Sequence, residues 1–116
     1  MEENIELQFK QLLKVLEKDF GEGLDLQIVL FLIGVQELGQ GFKNFTKNEK
    51  MDLMHIAVCS MLKEDGYYEL DHYDEDNWPH FKLLKNLPKL NKPEQDIFMK
   101  QNILNYFKHN EIYSPH

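Results

Sequence analysis

The sequence contains no arginine: all 13 of its basic residues are lysines, set against 20 acidic residues, and the net charge is −7. Affinity for nucleic acid comes largely from phosphate neutralisation, and base recognition relies heavily on Arg. The lysines are scattered along the chain rather than clustered. We therefore expect no nucleic-acid partner, and no guanidinium group is there to hold a carboxylate or phosphate with two hydrogen bonds.

Cysteine and long apolar runs are scarce as well. Cys59 is the only cysteine, so the chain forms no internal disulfide, and a reducing compartment is expected. The residues Met1–Asn4 are acidic, whereas a signal peptide has a basic start followed by an apolar stretch. The apolar run Ile28–Val35 has eight residues, but a membrane-spanning helix needs about 20. These features favour a cytoplasmic protein with no membrane partner.

The same apolar run is the most informative segment that the chain does have. A helix that is apolar on every side must be surrounded by protein, so the run predicts a buried central helix. We expect Leu30, Phe31 and Ile33 to be fully buried. A length of 116 residues suits a single domain, residues 1–116, with its own core.

Three more helices are predicted around the central one. An apolar stripe with spacings of three and four predicts a first helix over about Glu3–Asp19. Asp25 is placed to cap the central helix. The string Thr46–Glu49 has the pattern of a capping box and begins a third helix that runs to about Lys63. A fourth begins near Asn91, with Pro in its first turn. The predicted fold is mainly α, a single-domain bundle of four principal helices.

The connection between the third and fourth helices differs from the rest. Residues Glu64–Asn77, which we call the acidic segment, contain seven acids, three interleaved tyrosines and no lysine. Alternating apolar and polar residues are compatible with a short β-hairpin through Tyr67–Leu83, and an irregular loop followed by a helical turn is the alternative; the sequence does not decide between them. The spacing of the acids lacks the Gly and Glu that an EF-hand calcium loop needs at its sixth and twelfth positions.

Several strings in this chain resemble a known group of sequences. They are Glu37–Phe42, Asp52–Cys59, Gly66–Glu69 and Trp78–His80. Together they resemble a family of small uncharacterised proteins from Bacteroidetes-type bacteria. The resemblance spans most of the chain and implies a bacterial cytoplasmic protein. It brings no catalytic signature and implies no activity.

The third helix carries the first candidate site. Asp52 and His55 share one face of it, and together they can present a carboxylate and an imidazole to a metal ion, with Glu37 of the central helix as a further ligand. The competing interpretation, which we favour, is a solvated polar face with no cofactor. Cys59 lies one turn after His55, toward the helix C-terminus, where the helix dipole disfavours a thiolate. We therefore expect a structural thiol.

The acidic segment and the aromatic residues after it form the second candidate site. Tyr and Trp are enriched where proteins meet, so we hypothesise that Tyr68, Trp78 and Phe81 cover a contact surface. One alternative is a solvated acidic loop whose aromatic rings fold back onto the bundle. Another is a divalent-cation site built from carboxylates of the segment with His72 and His80.

These observations favour a non-catalytic cytoplasmic protein that acts through contacts with another protein, most simply a second copy of itself in a homodimer. The alternative is a small metal-dependent enzyme whose site lies on the third helix. The sequence names no substrate, partner or pathway for either.

Overall fold

The protein folds as four helices with a β-hairpin before the last of them. The computed structural model describes residues 4–110. Its elements, in chain order, are α1 (Ile5–Phe20), α2 (Leu26–Leu38), α3 (Lys47–Lys63), β1 (Tyr68–Tyr73), β2 (Pro79–Leu83) and α4 (Lys92–His109). The predicted mainly α single domain is confirmed, and of the two alternatives for the connection between α3 and α4 the hairpin is correct. The predicted start of the first helix at Glu3 lies outside the described residues.

Side chains at the helix N-termini explain why three of the helices begin where they do. The Asp25 carboxylate accepts a hydrogen bond from the Ile28 amide at 2.9 Å, and so caps α2. Thr46 begins α3 with the predicted capping box, in which Glu49 reaches back to the Thr46 amide. Asn91 caps α4 through a second capping box. Each of these ends satisfies backbone donors that would otherwise lack a partner.

The helix α2 lies at the centre, as its apolar run predicts. Leu30 is 7% exposed and Ile33 is fully buried, which confirms two of the three expected core positions. Phe31 was expected to be buried and is only half-buried. Neighbouring elements cover most of the circumference of α2 but not all of it, since Ile28 is also exposed. None of the helices within residues 4–110 is long and apolar enough to cross a membrane.

A close approach between α2 and α3 fixes how the two central helices pack. At Gly34, a Cβ atom would overlap the backbone carbonyl of Leu53. Glycine therefore allows the two backbones to touch at this point, where any side chain would force them apart. The crossing divides the core into two clusters of buried side chains.

The first core cluster lies where α1 and α4 pack against α2 and α3. It includes Phe9, Val29, Ile33, Ala57 and Ile103. The second core cluster lies beside the hairpin and consists of Val35, Leu38, Phe45, Leu53 and Ile56, with Phe31, Trp78 and Phe81 packed against it. The hairpin is therefore fixed to the bundle through the second cluster.

The hairpin, Tyr68–Leu83, has two faces of different character. Leu70 lies opposite Phe81 in the antiparallel ladder, and this face turns toward the second core cluster. The next pair along the ladder is His72 opposite His80, which faces away. A β-bulge between Leu70 and His72 separates the two pairs.

Candidate functional site

The residues predicted to share a polar face of α3 differ in their exposure to solvent. Asp52 and His55 are exposed, but the Cys59 side chain is fully buried. The His55 Nε2 lies 3.4 Å from the Cys59 Sγ. Burial raises the pKa of the Cys59 thiol to about 11, so the thiol stays protonated at neutral pH and is a poor nucleophile. These properties are those of the structural thiol that the sequence predicts.

Glu37, the third candidate metal ligand, is engaged elsewhere. Its Oε2 accepts a hydrogen bond of 2.8 Å from the Tyr106 hydroxyl on α4, which in turn accepts one of 3.1 Å from Gln36 Nε2. Burial, together with the nearby Glu37 carboxylate, raises the pKa of Tyr106. His55 instead contacts Cys59 on its own helix and the edge of the Tyr68 ring, with ring centroids 6.3 Å apart. Within residues 4–110, no three His, Cys, Asp or Glu side chains are grouped to hold a metal ion.

Glu37 and Tyr106 line a polar cleft of about 600 Å³ between α3 and α4. Asn102 is the one buried polar residue in the described part of the chain, and its Nδ2 donates to the Phe98 carbonyl oxygen at 2.8 Å. No buried side-chain nitrogen or oxygen in residues 4–110 is left without a hydrogen-bond partner. The buried polar atoms beside this cleft, those of Tyr106 and Asn102 among them, therefore have hydrogen-bond partners within the protein.

The three aromatic residues proposed as contact residues lie on the bundle side of the hairpin. Trp78 is half-buried, and its ring meets Phe45 edge to face, with centroids 6.3 Å apart. Phe81 packs against the same cluster, and Tyr68 lies beside His55. Much of their apolar surface therefore attaches the hairpin to the bundle. This arrangement matches the alternative interpretation, in which the aromatic rings fold back onto the bundle.

The side of the hairpin that faces away from the bundle carries a pair of stacked imidazoles. The rings of His72 and His80 are 4.7 Å apart between centroids and parallel to within 4°. Each ring has a carboxylate partner: His72 Nδ1 lies 3.1 Å from Asp71 Oδ2, and His80 Nε2 lies 2.9 Å from Asp74 Oδ2. Both imidazoles are exposed: 58% of the His72 side-chain surface and 50% of the His80 side-chain surface are accessible to solvent.

Asp74 also organises the turn between β1 and β2. Its Oδ1 accepts hydrogen bonds from the amides of Asp76 and Trp78, at 2.9 Å and 3.0 Å. The hydrogen bond from His80, followed by the bond from the Trp78 amide, lowers the pKa of Asp74. Asn77 takes a positive φ of 64°, a conformation that Asn tolerates better than most residues. A hairpin over Tyr67–Leu83 requires a turn near its middle, but nothing in the sequence indicates that Asp74 holds this turn.

Comparison with known proteins adds no assignment to this geometry. No family model, curated protein or solved structure matches the chain. The resemblance seen in the sequence therefore stays a prediction. Any functional argument rests on the residues of the chain and on their arrangement.

Proposed function

We propose that this protein is non-catalytic and acts by binding a basic, extended segment of a partner protein along its hairpin. The observation that carries the proposal is the distribution of charge. The acidic segment holds seven acids and no lysine, while the other 13 acids of the chain are balanced by its 13 lysines. The whole net charge of −7 is therefore concentrated in one connection between helices.

The fold displays much of this charge on an exposed surface. Five of the six residues of β1 are exposed, and so are all the residues of the turn from Asp74 to Asn77. β2 contributes one opposing charge, Lys82, directly across from Glu69. A concentrated field of one sign attracts a partner of the opposite sign and speeds its association.

The hairpin also offers backbone groups for an extended partner. The sheet has only two strands among the described residues, so each strand has one edge with no strand beside it. An extended peptide can add to such an edge through main-chain hydrogen bonds, and charged side chains then decide which peptide is accepted. The combination favours a partner with alternating or clustered basic residues.

Charge favours such a partner over a second copy of the chain. Two hairpins placed edge to edge would bring two sets of five acids together, and like charges across strands are destabilising. The predicted contact role of Tyr68, Trp78 and Phe81 becomes an indirect one under this proposal. Their rings hold the ribbon against the bundle, and the acids in front of them meet the partner.

The proposal is tested by titrating two peptides into isotope-labelled protein at low salt. One peptide alternates Lys with Thr, the other alternates Glu with Thr, and each is long enough to span β1. We expect the Lys peptide to shift the amide resonances of β1 and of the turn in a saturable way. We expect the Glu peptide to shift none of them, and added salt to weaken the binding because exposed charges are screened.

Matched charge variants locate the binding surface. The triple variant Glu69→Gln, Glu75→Gln, Asp76→Asn removes three exposed acids from the hairpin while leaving the carboxylates that hold the imidazoles. Its affinity for the Lys peptide should fall by about fivefold or more, because each exposed charge pair contributes up to about 1 kcal/mol. The control Asp19→Asn, Glu22→Gln, Asp52→Asn removes the same charge elsewhere. Equal losses in both variants, or peptide shifts on the helices, would contradict the proposal.

A further inference from the structure

We propose that His72 and His80 form a two-histidine binding site for a divalent transition-metal ion of the zinc, nickel or copper class. This site lies apart from the candidate ligands on α3, and it does not depend on the proposed peptide partner. It stands on the register of the hairpin, on the arrangement of the two rings and on their carboxylate partners.

The β-bulge in β1 is what brings the two imidazoles together. Before the bulge, Leu70 lies opposite Phe81, and a regular ladder continued from that pair would place His72 opposite Pro79. The extra residue at the bulge shifts the register by one, so that His72 lies opposite His80. A bulge commonly re-aims side chains in this way, and here it places two potential metal ligands on adjacent strands of the same face.

The carboxylates fix which ring nitrogen is available on each histidine. An ionised carboxylate only accepts hydrogen bonds, so His72 donates through Nδ1 to Asp71 and His80 donates through Nε2 to Asp74. In the neutral form of each ring, this leaves His72 Nε2 and His80 Nδ1 as the nitrogens that can bind a metal ion. Metal-binding histidines typically have this arrangement, because a carboxylate on the second ring nitrogen sets the tautomer and raises the basicity of the ligand.

The two rings must rotate out of their parallel stack before both can bind one ion, because a metal ion lies in the plane of each imidazole that binds it. Zinc binds imidazole nitrogen at about 2.0–2.1 Å, so two nitrogens on one ion lie roughly 3.3 Å apart in a tetrahedral site. The two ring centroids are 4.7 Å apart, and both side chains are accessible enough to turn. The remaining ligands would be water. Imidazole selects zinc, nickel and copper over calcium and magnesium, which prefer oxygen ligands.

The test uses the full chain without an affinity tag and follows all five histidines by NMR of their ring carbons and protons while zinc chloride is added. We expect the His72 and His80 signals to move together and to saturate at one zinc per chain below about 1 mM. The His55 and His109 signals should not move with them. Magnesium at the same concentration should leave all of them unchanged.

Single variants give the quantitative check by calorimetry. His72→Gln and His80→Gln should each weaken zinc binding by tenfold or more, since each removes one of two ligands. His109→Gln, an exposed histidine on α4, should leave it unchanged. Zinc affinity that survives both hairpin variants, or an equal response to magnesium, would overturn the proposal. The absence of saturable zinc binding would overturn it as well. The triple acid variant used to test peptide binding keeps both imidazoles and their partners, so failure of one proposal does not imply failure of the other.

Discussion

The bundle and the hairpin of this protein are built on opposite principles. The central helix α2 buries seven of its 13 residues and contains a single charged residue, Glu37. In contrast, β1 exposes five of its six residues and lies in the segment that carries all the net charge. The bundle is specified by shape, through Gly34 at a helix crossing and two clusters of apolar side chains. The hairpin is held by a few anchors on one face, and its other face is free to vary.

This difference separates residues that the fold requires from residues that it does not. Apart from Asp74, which holds the turn, a hairpin attached through Trp78 and Phe81 does not need acidic side chains in order to fold. Concentrating five acids in the hairpin raises self-repulsion and contributes nothing to the core. Residues that a fold does not need are the ones in which function is best sought.

Removing a core side chain should have the largest effect on stability and tests the description of the bundle. Leu30→Ala truncates a side chain of the first core cluster that is only 7% exposed, and it should lower the free energy of unfolding by about 2–5 kcal/mol. Chemical denaturation followed by circular dichroism measures it. The exposed Gln27→Ala on the same helix is the control. An unchanged midpoint for Leu30→Ala would refute a core centred on α2.

Adding a single methyl group at the helix crossing should come next. In Gly34→Ala the new Cβ meets the backbone carbonyl of Leu53, which cannot rotate away as a side chain would. We expect a loss of about 1–3 kcal/mol from overpacking, despite the better helix propensity of Ala. The same denaturation experiment checks it. A gain in stability would mean that α2 and α3 are further apart than described.

Truncating the main anchor should release the hairpin and spare the helices. Trp78→Ala removes a half-buried ring from the second core cluster and should cost about 1–3 kcal/mol. The helical circular dichroism should persist, while hairpin amides exchange with solvent faster. If stability and exchange were unchanged and only partner binding were lost, Trp78 would be the direct contact residue that the sequence suggested.

Lowering the pH should have the smallest effect on the structure, and that effect should be confined to the turn between β1 and β2. The pKa of Asp74 is lower in the folded protein than in the unfolded chain, so the ionised carboxylate favours the folded turn. That contribution is complete above the usual Asp pKa of about 4 and is lost as pH falls through the lowered value. The turn amides of Asp76 and Trp78 should shift in that range while the α2 amides stay constant. Asp74→Asn should remove this pH response, and a response that persists would assign it to another acid.

Most of the fold was predictable because local chemistry and global packing agree in it. The caps at Asp25, Thr46 and Asn91 are short-range signals, and the apolar run of α2 needs burial whatever surrounds it. Phe31 was wrongly expected to be buried, because a sequence shows that a helix needs cover but not how much of it the neighbouring elements supply.

The arrangement of the hairpin was only partly predictable. Alternation of residues left a hairpin as one of two alternatives, and the one-residue bulge that pairs His72 with His80 leaves no pattern in the sequence. The close helix crossing at Gly34 likewise depends on tertiary geometry, since a glycine inside an apolar run has no distinctive signal. Whether Trp78 is a contact residue or a core residue was not predictable, because it lies in the turn just before β2 and its position depends on how the hairpin packs against the bundle.

The central claim is that the partner is selected by the negative charge of the hairpin and not by the bundle. Charge reversal tests it most directly: Glu69→Lys, Glu75→Lys, Asp76→Lys changes the sign of three exposed positions and touches no core residue. The account predicts that this variant keeps its helical circular dichroism, loses binding of the Lys–Thr peptide and gains binding of the Glu–Thr peptide at low salt. A variant that still prefers the Lys–Thr peptide, or that binds both peptides as the original chain does, would contradict the account.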